Sequence, residues 1–156
     1  MALAKTGDKL PNIALTSPDG APVSPADFAG QKLVLFFYPK DDTPGCTTEN
    51  KDFSALADDF AKAGTALLGI SKDPPARHAK FIAKYDLTAP LASDAVELGL
   101  SDALGFWDEK QNYGRTYMGM IRSTVLVAAD GTIARVWSPV KVKGHAEEVL
   151  AAAQAL

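Results

Sequence analysis

The sequence predicts an α/β fold in which helices cover both faces of a central mixed β-sheet, with a small β-hairpin at the amino-terminal end. Two short apolar runs, KLVLFFY and TALLGIS, are bounded by turn-forming residues, which is typical of strands buried on both faces. Segments with helical spacing of apolar residues separate and follow these runs. Near the end of the chain, STVLVAADGTIARVW contains two apolar runs joined by Asp130-Gly131, the pattern of a hairpin.

The first third of the chain predicts the hairpin, a helical turn, a strand and a helix. Short apolar pieces and turn signals alternate in LPNIALTSPDGAPV, and a proline opens one helical turn around Ser24–Phe28. The strand KLVLFFY follows and is ended by Pro39. The next helix is predicted to begin at Thr43 as N-cap, with Pro44 in the first helical position, and to end at Gly64.

The remaining elements continue the alternation of strands and helices. After the strand TALLGIS, Asp73-Pro74-Pro75 opens a helix, and APLASD predicts a short third strand. The late hairpin follows, and an alanine-rich helix from Gly144 completes the order. No repeat, linker or low-complexity segment interrupts the chain, so residues 1–156 are expected to form one domain.

Composition and charge argue against several classes of function. The chain has 156 residues, a formal net charge of −3 and no long cluster of lysine and arginine, which disfavours a nucleic-acid or anionic-membrane surface. No apolar run approaches the roughly 20 residues that span a bilayer. The amino terminus does not have the pattern of a signal peptide, so a cytoplasmic location is expected.

The chain contains a single cysteine, Cys46, so neither an intramolecular disulfide nor a CxxC redox or zinc motif is possible. Cys46 falls in the predicted first turn of the helix that follows a central strand. Free backbone N–H groups and the helix dipole favour an anion there, and they lower the pKa of a thiol. A structural cysteine would more naturally occupy the apolar stripe of Phe53, Leu56 and Phe60. We therefore expect Cys46 to be reactive.

The segment YPKDDTPGCTTE resembles the active-site segment of the peroxiredoxins, whose motif is Pro, three residues, Thr or Ser, two residues, and Cys. Pro39, Thr43 and Cys46 occupy these positions. The wider segment, with FFYPK before the motif and TPGCT around the cysteine, is similar to the peroxiredoxin Q group, also called bacterioferritin comigratory proteins. The similarity extends from about Gly7 to the carboxyl-terminal helix.

This resemblance implies a thioredoxin-like fold and a thiol-dependent peroxidase that needs no metal or organic cofactor. Cys46 would attack the O–O bond of a hydroperoxide and become a sulfenic acid. Thr43 would orient the peroxide, and the backbone N–H groups of Gly45 and Cys46 would bind its oxygens. Arg122, in GMIRST, matches the family's arginine, which stabilises the thiolate and the leaving oxygen. Pro39 would shield the pocket from water.

The sequence departs from the group at the positions of the resolving cysteine. Members that have one carry it five residues after the reactive cysteine, where this chain has Lys51, or in the next helix, where residues 77–84 contain none. A sulfenic acid on Cys46 must then be reduced by another molecule. The prediction is a one-cysteine peroxidase for hydrogen peroxide and small organic hydroperoxides, served by thioredoxin, glutaredoxin or glutathione. The group also implies a monomer.

Three other functions compete with the peroxidase as explanations of Cys46. A cysteine hydrolase needs a histidine beside Cys46, but His78 and His145 are both predicted to lie on helix surfaces. A thioredoxin-type disulfide reductase needs a CxxC partner. A non-catalytic thioredoxin-fold binding module or holdase remains the alternative, although it has no need for the set formed by Pro39, Thr43, Cys46 and Arg122.

Several neighbours of the motif are expected to have ordinary structural roles. Glu49 is expected to complement the helix dipole or to pair with a nearby base. Arg115 is expected at the surface. Trp107, Tyr113 and Tyr117 precede the late hairpin, and packing is a better explanation of them than a collar around the pocket.

Overall fold

The computed structural model describes residues 4–156 of the chain. Nine strands, five helices and a 3₁₀ turn at Pro25–Phe28 occur in this part. The strands are β1 (Leu15–Thr16), β2 (Pro22–Val23), β3 (Lys32–Phe37), β4 (Thr65–Ser71), β5 (Leu91–Ser93), β6 (Trp107–Asn112), β7 (Arg115–Met120), β8 (Ser123–Val127) and β9 (Ile133–Trp137). The helices are α1 (Pro44–Ala55), α2 (Ala57–Lys62), α3 (Pro75–Tyr85), α4 (Leu100–Ala103) and α5 (His145–Ala155).

Seven strands form one mixed sheet in the order β2-β1-β5-β4-β3-β8-β9. The central strands β3, β4 and β5 run parallel, while β8 and β9 are antiparallel on one side and β1 and β2 on the other. Strand β3 lies between β4 and β8 and is buried on both faces, as its continuous apolar sequence predicts. The predicted mixed sheet and its amino-terminal hairpin are confirmed.

Alternate residues of the strands pack into two cores, one on each face of the sheet. On one face, Val34 and Phe36 of β3 pack in the cluster that includes residues of α1, α2, α3 and α5. On the other face, the cluster around Leu35 and Phe37 includes Leu100 of α4. Helices α1, α2, α3 and α5 therefore share one face. For α1, α2 and α3 this follows because the connections from β3 to β4 and from β4 to β5 cross the parallel strands in the same sense. No helix in residues 4–156 is both long and apolar enough to cross a membrane.

A third hairpin, formed by β6 and β7 outside the main sheet, has no counterpart in the sequence prediction. Its strands are mostly polar and exposed, so they show no alternation of apolar residues. Its two turn residues, Tyr113 and Gly114, both have positive φ angles of 52° and 74°. Tyrosine is uncommon in this conformation, so the turn carries no clear sequence signal.

The helix predicted to end at Gly64 is interrupted at Leu56, which separates α1 from α2. Just before the interruption, the Ser54 carbonyl accepts a hydrogen bond from Thr88 Oγ1 at 3.0 Å, and Ser54 Oγ accepts one from the Thr88 N–H at 3.1 Å. A distant segment thus holds the backbone where the helix breaks, and helical periodicity alone does not reveal this contact.

Candidate active site

Cys46 lies where the sheet, a loop and a helix meet. Strand β3 ends at Phe37, the loop passes through Tyr38 and Thr43, and α1 places Cys46 in its first turn. The side chain is 1% exposed and belongs to the main core cluster. The first N–H groups of a helix have no partner within the helix, so this turn presents donors beside the thiol. The thiol is therefore buried in apolar surroundings but placed where an anion is stabilised.

The structure brings Arg122 into contact with Cys46. Arg122 immediately precedes β8, whose first residue, Ser123, pairs with Phe37 at the end of β3. Its Nη2 atom donates to Cys46 Sγ at 3.4 Å, and its Nη1 atom donates to Glu49 Oε1 at 2.6 Å. Glu49 is one turn after Cys46 on α1. One planar guanidinium thus bridges the thiol and a buried carboxylate.

Burial controls the charge of this group of side chains. It raises the pKa of Glu49 to about 7, and the positive charge of Arg122 compensates only in part. Burial alone would lower the pKa of Arg122, but the negative charges of Glu49 and of ionised Cys46 outweigh this effect and raise it. Arg122 therefore remains a cation, while Glu49 changes charge close to neutral pH. Within residues 4–156, Glu49 Oε2 has no hydrogen-bond partner.

The other motif residues surround the start of α1. Thr43 occupies the N-cap position, as predicted, but its side chain makes no cap hydrogen bond, and its Oγ1 atom donates to the Lys40 carbonyl at 2.8 Å. Pro39 is half-buried between β3 and the loop. Gly45 is exposed, and a Cβ atom at this position would lie 3.2 Å from Nη2 of Arg122. Gly45 thus leaves room for the guanidinium.

The prediction that both histidines lie on helix surfaces is wrong. His78 is fully buried, and its Nδ1 atom is 2.6 Å from Oδ2 of Asp41 in the loop before α1. His145 is also buried, and its Nε2 atom is 2.8 Å from Thr124 Oγ1. The sequence carried a signal for His78, because it precedes the buried Phe81 by three residues and therefore shares its face of α3.

One further residue near the site had no signal in the sequence. Lys110 lies on the unpredicted hairpin and is half-buried. Partial burial lowers the pKa of Lys110, and the positive charge of Arg122 lowers it further by a smaller effect. Ionised Cys46 acts in the opposite direction and raises this pKa. The hairpin therefore places a second cation within electrostatic range of the thiol.

For the aromatic residues and Arg115 near the motif, some predictions are correct and others are wrong. Arg115 is exposed, as predicted. The packing predicted for the tyrosines is wrong, since Tyr113 is 97% exposed and Tyr117 is 47% exposed. Trp107 is half-buried, with Lys72 Nζ 5.4 Å from its ring centroid. In the described part of the chain, no group of three or more His, Cys, Asp and Glu side chains is arranged to hold a metal ion.

Comparisons with known proteins identify the class defined by this fold and site. Residues 6–136 match the model of the AhpC/TSA family, so the chain belongs to this family of peroxiredoxins, which are thiol peroxidases. Hydroperoxides are their substrates and thiols their reductants. A peroxidase is thereby favoured over the non-catalytic binding module.

Individual relatives narrow the class to the Q group, also called bacterioferritin comigratory proteins. The chain is 48% identical over 127 residues to peroxiredoxin Bcp of Xanthomonas campestris, covering 81% of this chain and 79% of the relative. A mutant of PrxQ from Xylella fastidiosa has a TM-score of 0.92 at 37% identity, covering 99% and 98% of the two chains. The X. campestris bacterioferritin comigratory protein, studied for its alkyl peroxide reduction activity in trapped intermediate and ligand complexes, has a TM-score of 0.87 at 41% identity, covering 95% and 98%.

Proposed function

We propose that the protein reduces hydrogen peroxide and organic hydroperoxides through a sulfenic acid on Cys46, which an external thiol then reduces. The observation that carries this proposal is the contact between Cys46 Sγ and Arg122 Nη2 at 3.4 Å in the first turn of α1. A thiolate is the nucleophilic form of cysteine, and a fixed cation beside a helix amino terminus stabilises it. The alkyl peroxide activity studied in the X. campestris relative supports organic hydroperoxides as substrates.

The oxidation step transfers one oxygen atom to sulfur. The Cys46 thiolate attacks the terminal oxygen of the hydroperoxide, so that an S–O bond forms while the O–O bond breaks. The second oxygen leaves as an alkoxide, or as hydroxide from hydrogen peroxide, and takes a proton to become an alcohol or water. Negative charge moves from Sγ to the leaving oxygen during this step. Arg122, already in contact with Sγ, stabilises that charge electrostatically.

The residues around the helix start bind and orient the peroxide. Thr43 Oγ1 donates its hydrogen to the Lys40 carbonyl, so its lone pairs are free to accept a hydrogen bond from the peroxide O–H. The N–H groups of Gly45 and Cys46 in the first turn of α1 donate to the peroxide oxygens. Pro39 shields the pocket from water. A substrate held by these donors and acceptors is aligned for attack along the O–O bond.

The external reductant completes the cycle because Cys46 is the only cysteine of the chain. A first thiol attacks the sulfenic sulfur, forms a mixed disulfide and releases water. A second thiol attacks the mixed disulfide and restores Cys46. Thioredoxin, glutaredoxin and glutathione supply thiols of this kind, and the cytoplasm, our proposed location, maintains them in reduced form. We propose a monomer as the active species.

The test is a short stoichiometric pulse of hydrogen peroxide with a sulfenic-acid trap and no added thiol, followed by mass spectrometry. We expect one trap adduct per chain, located on Cys46. The Cys46→Ser variant is the control and is expected to give no adduct and no peroxide consumption. An unmodified Cys46, or a Cys46→Ser variant that still consumes peroxide, would contradict the mechanism.

A further inference from the structure

The loop between β3 and α1 is attached to α3 and to the residues just before it. The Asp41 N–H donates to Asp73 Oδ2 at 2.8 Å, and the Asp41 carbonyl accepts from Arg77 Nη2 at 3.1 Å. The next residue, Asp42, has a positive φ of 61°. This conformation is uncommon for a residue other than glycine, although aspartate adopts it more readily than most, so contacts around Asp42 help to hold it.

Two further bonds from α3 hold Asp42 itself. Its carboxylate accepts from Lys84 Nζ at 2.8 Å and from Tyr85 Oη at 2.6 Å. These contacts are at the surface and each contributes little. The buried contacts of Asp41 must therefore supply most of the constraint on the loop.

From α3, the buried contact to the Asp41 side chain is made by His78. Both side chains are fully buried, and Nδ1 of His78 is 2.6 Å from Oδ2 of Asp41. The other ring nitrogen, Nε2, is 3.1 Å from the carbonyl of Ala92 in β5. A carbonyl oxygen only accepts, so Nε2 must carry a proton.

The short contact between Nδ1 and Oδ2 requires a second proton. Two acceptors facing each other at this distance would repel, so a proton must lie between the ring and the carboxylate. The other carboxylate oxygen, Oδ1, accepts from Tyr38 Oη at 2.6 Å. Burial, and next the negative charge of Asp41, raises the pKa of Tyr38 well above its usual value, so Tyr38 remains a donor. The hydrogen bond from Tyr38 to Oδ1 favours the charged carboxylate, and with it an imidazolium, over a neutral imidazole beside a protonated carboxyl group.

We propose that His78 is a positioning residue of the peroxidase: as an imidazolium paired with Asp41, it holds the loop that carries Pro39 and Thr43 and sets the start of α1. Asp41 is two residues from Pro39 and two from Thr43 in the chain. A displacement of Asp41 therefore moves both, and with them the turn that places Cys46 beside Arg122. This inference rests on the proposed function of Cys46. His78 acts through Asp41 and is not itself a catalytic residue.

Two variants separate the contact with the loop from the contact with the sheet. In His78→Asn the amide nitrogen takes the place of Nδ1 and can still donate to Asp41, but the Ala92 carbonyl loses its donor. In His78→Gln the amide nitrogen reaches the place of Nε2 and can still donate to Ala92, but Asp41 loses its donor. Each variant removes one hydrogen bond of the same buried side chain, so each serves as the control for the other.

The measurement is the second-order rate constant of Cys46 oxidation by hydrogen peroxide, from stopped-flow fluorescence at a temperature where both variants are folded by circular dichroism. The expected rate constant for His78→Gln is at least about tenfold below that for His78→Asn, because a displaced loop disturbs the alignment of thiol and peroxide. Equal rate constants for the two folded variants would overturn the proposal. So would a lower rate constant for His78→Asn.

The charge of the ring is tested by nuclear magnetic resonance of ¹⁵N-histidine-labelled protein at neutral pH. The chain has two histidines, and the His78→Gln variant identifies the signals of His78. Two nitrogen-bound protons on the His78 ring are expected, and a single one would overturn the imidazolium. The wild type and Cys46→Ser are measured in the same stopped-flow assay. A wild type that does not react would overturn both proposals, whereas a reactive wild type with equal His78 variants overturns only the role of His78.

Discussion

At the scale of single residues, the site depends on the guanidinium of Arg122, which contacts both the Cys46 thiol and the Glu49 carboxylate. Arg122 donates through Nη2 to Cys46 and through Nη1 to Glu49, so the carboxylate of Glu49 fixes the orientation in which the cation meets the sulfur. A lysine ammonium is a compact charge on a flexible stem and does not reproduce a planar bridge. The geometry, as well as the charge, of Arg122 is therefore expected to matter.

Replacing Arg122 should slow the oxidation of Cys46 while the fold persists. We expect Arg122→Ala to lower the second-order rate constant with hydrogen peroxide by about 10² to 10³, the usual loss for an electrostatic donor at a reacting centre. Arg122→Lys should fall between Arg122→Ala and the wild type. Arg115→Ala is the matched control, because Arg115 is exposed on the hairpin, and it should leave the rate constant unchanged. A full rate for Arg122→Ala would refute the assigned role.

Glu49 should make the stability of the protein depend on pH. Its folded-state pKa of about 7 lies above its ordinary value of 4.5, so raising the pH between these values ionises the unfolded chain first and destabilises the fold. The loss is complete above the folded pKa and amounts to about 3 kcal/mol of unfolding free energy. The Glu49→Gln variant has no such titration. The measurement is the free energy of unfolding by denaturant, with and without Glu49→Gln, both in a Cys46→Ser background. Between about pH 5 and about pH 8, the protein that retains Glu49 should lose stability relative to the Glu49→Gln variant. A constant difference would exclude a raised pKa.

Replacing Gly45 with alanine should lower the activity without lowering the stability. A Cβ atom here would lie 3.2 Å from Arg122 Nη2, so the guanidinium must shift by a few tenths of an ångström. Alanine also favours the helix more than glycine does, by up to about 1 kcal/mol. We expect Gly45→Ala to lower the rate constant of Cys46 oxidation roughly three- to tenfold, with an unchanged or higher melting temperature. An unaltered rate constant would show that Arg122 adapts without loss.

At the scale of elements, the packing of β4 against β3 and β5 depends on Gly69. A Cβ atom at Gly69 would lie 2.6 Å from both the Phe36 ring and a Leu91 methyl group, and both side chains are fixed in the core. Gly69→Ala should therefore destabilise the protein by about 1–3 kcal/mol, the usual cost of overpacking. Gly119→Ala is the control, since its Cβ would meet the flexible Lys110 stem, which can move aside. Thermal unfolding of both variants tests this, and similar melting temperatures would contradict it.

The elements that were predicted correctly are those whose signals are local. Strand β4 matches the run TALLGIS, and β8 and β9 flank the Asp130-Gly131 turn, because a buried strand needs only its own apolar residues and breakers. The hairpin of β6 and β7 lacks such a pattern, since its strands are exposed. The interruption at Leu56 coincides with contacts from Thr88. The pairing of exposed strands and the contacts between distant residues therefore cannot be predicted from local sequence patterns.

At the scale of the whole molecule, local sequence patterns predict part of the site but not the contacts between residues that are distant in the chain. The spacing of Pro39, Thr43 and Cys46 is visible within eight residues, and a helix start beside a strand end already indicates a reactive thiol. Arg122 could be named only through the family resemblance, since no local pattern assigns a distant arginine to a thiol. The contact of His78 with Asp41 spans 37 residues and requires the fold. The reactive segment around Cys46 was therefore predictable from the sequence, whereas the contacts that Arg122 and His78 make with it were not.

Oxidation should not link two chains through Cys46. Cys46 is 1% exposed, so a disulfide of roughly 2.05 Å between two chains would require both buried sulfur atoms to become accessible, whereas an external thiol needs access to only one. After stoichiometric peroxide without added thiol, we expect a single monomer band in non-reducing electrophoresis and a monomer peak in size-exclusion chromatography. Excess peroxide should carry Cys46 onward to the irreversible sulfinic acid. A disulfide-linked dimer as the main product would show that the second chain's Cys46 serves as the resolving thiol.

Because β8 pairs with β3, Cys46 is expected to become reactive toward peroxide only late in synthesis of the chain. Cys46 and Arg122 are 76 residues apart, and they meet only when the later strand docks against the earlier one. A nascent or truncated chain that ends before Arg122 carries an ordinary thiol without its arginine partner. We therefore expect peroxide reactivity to require the docking of β8 against β3, and its return during refolding to follow that step.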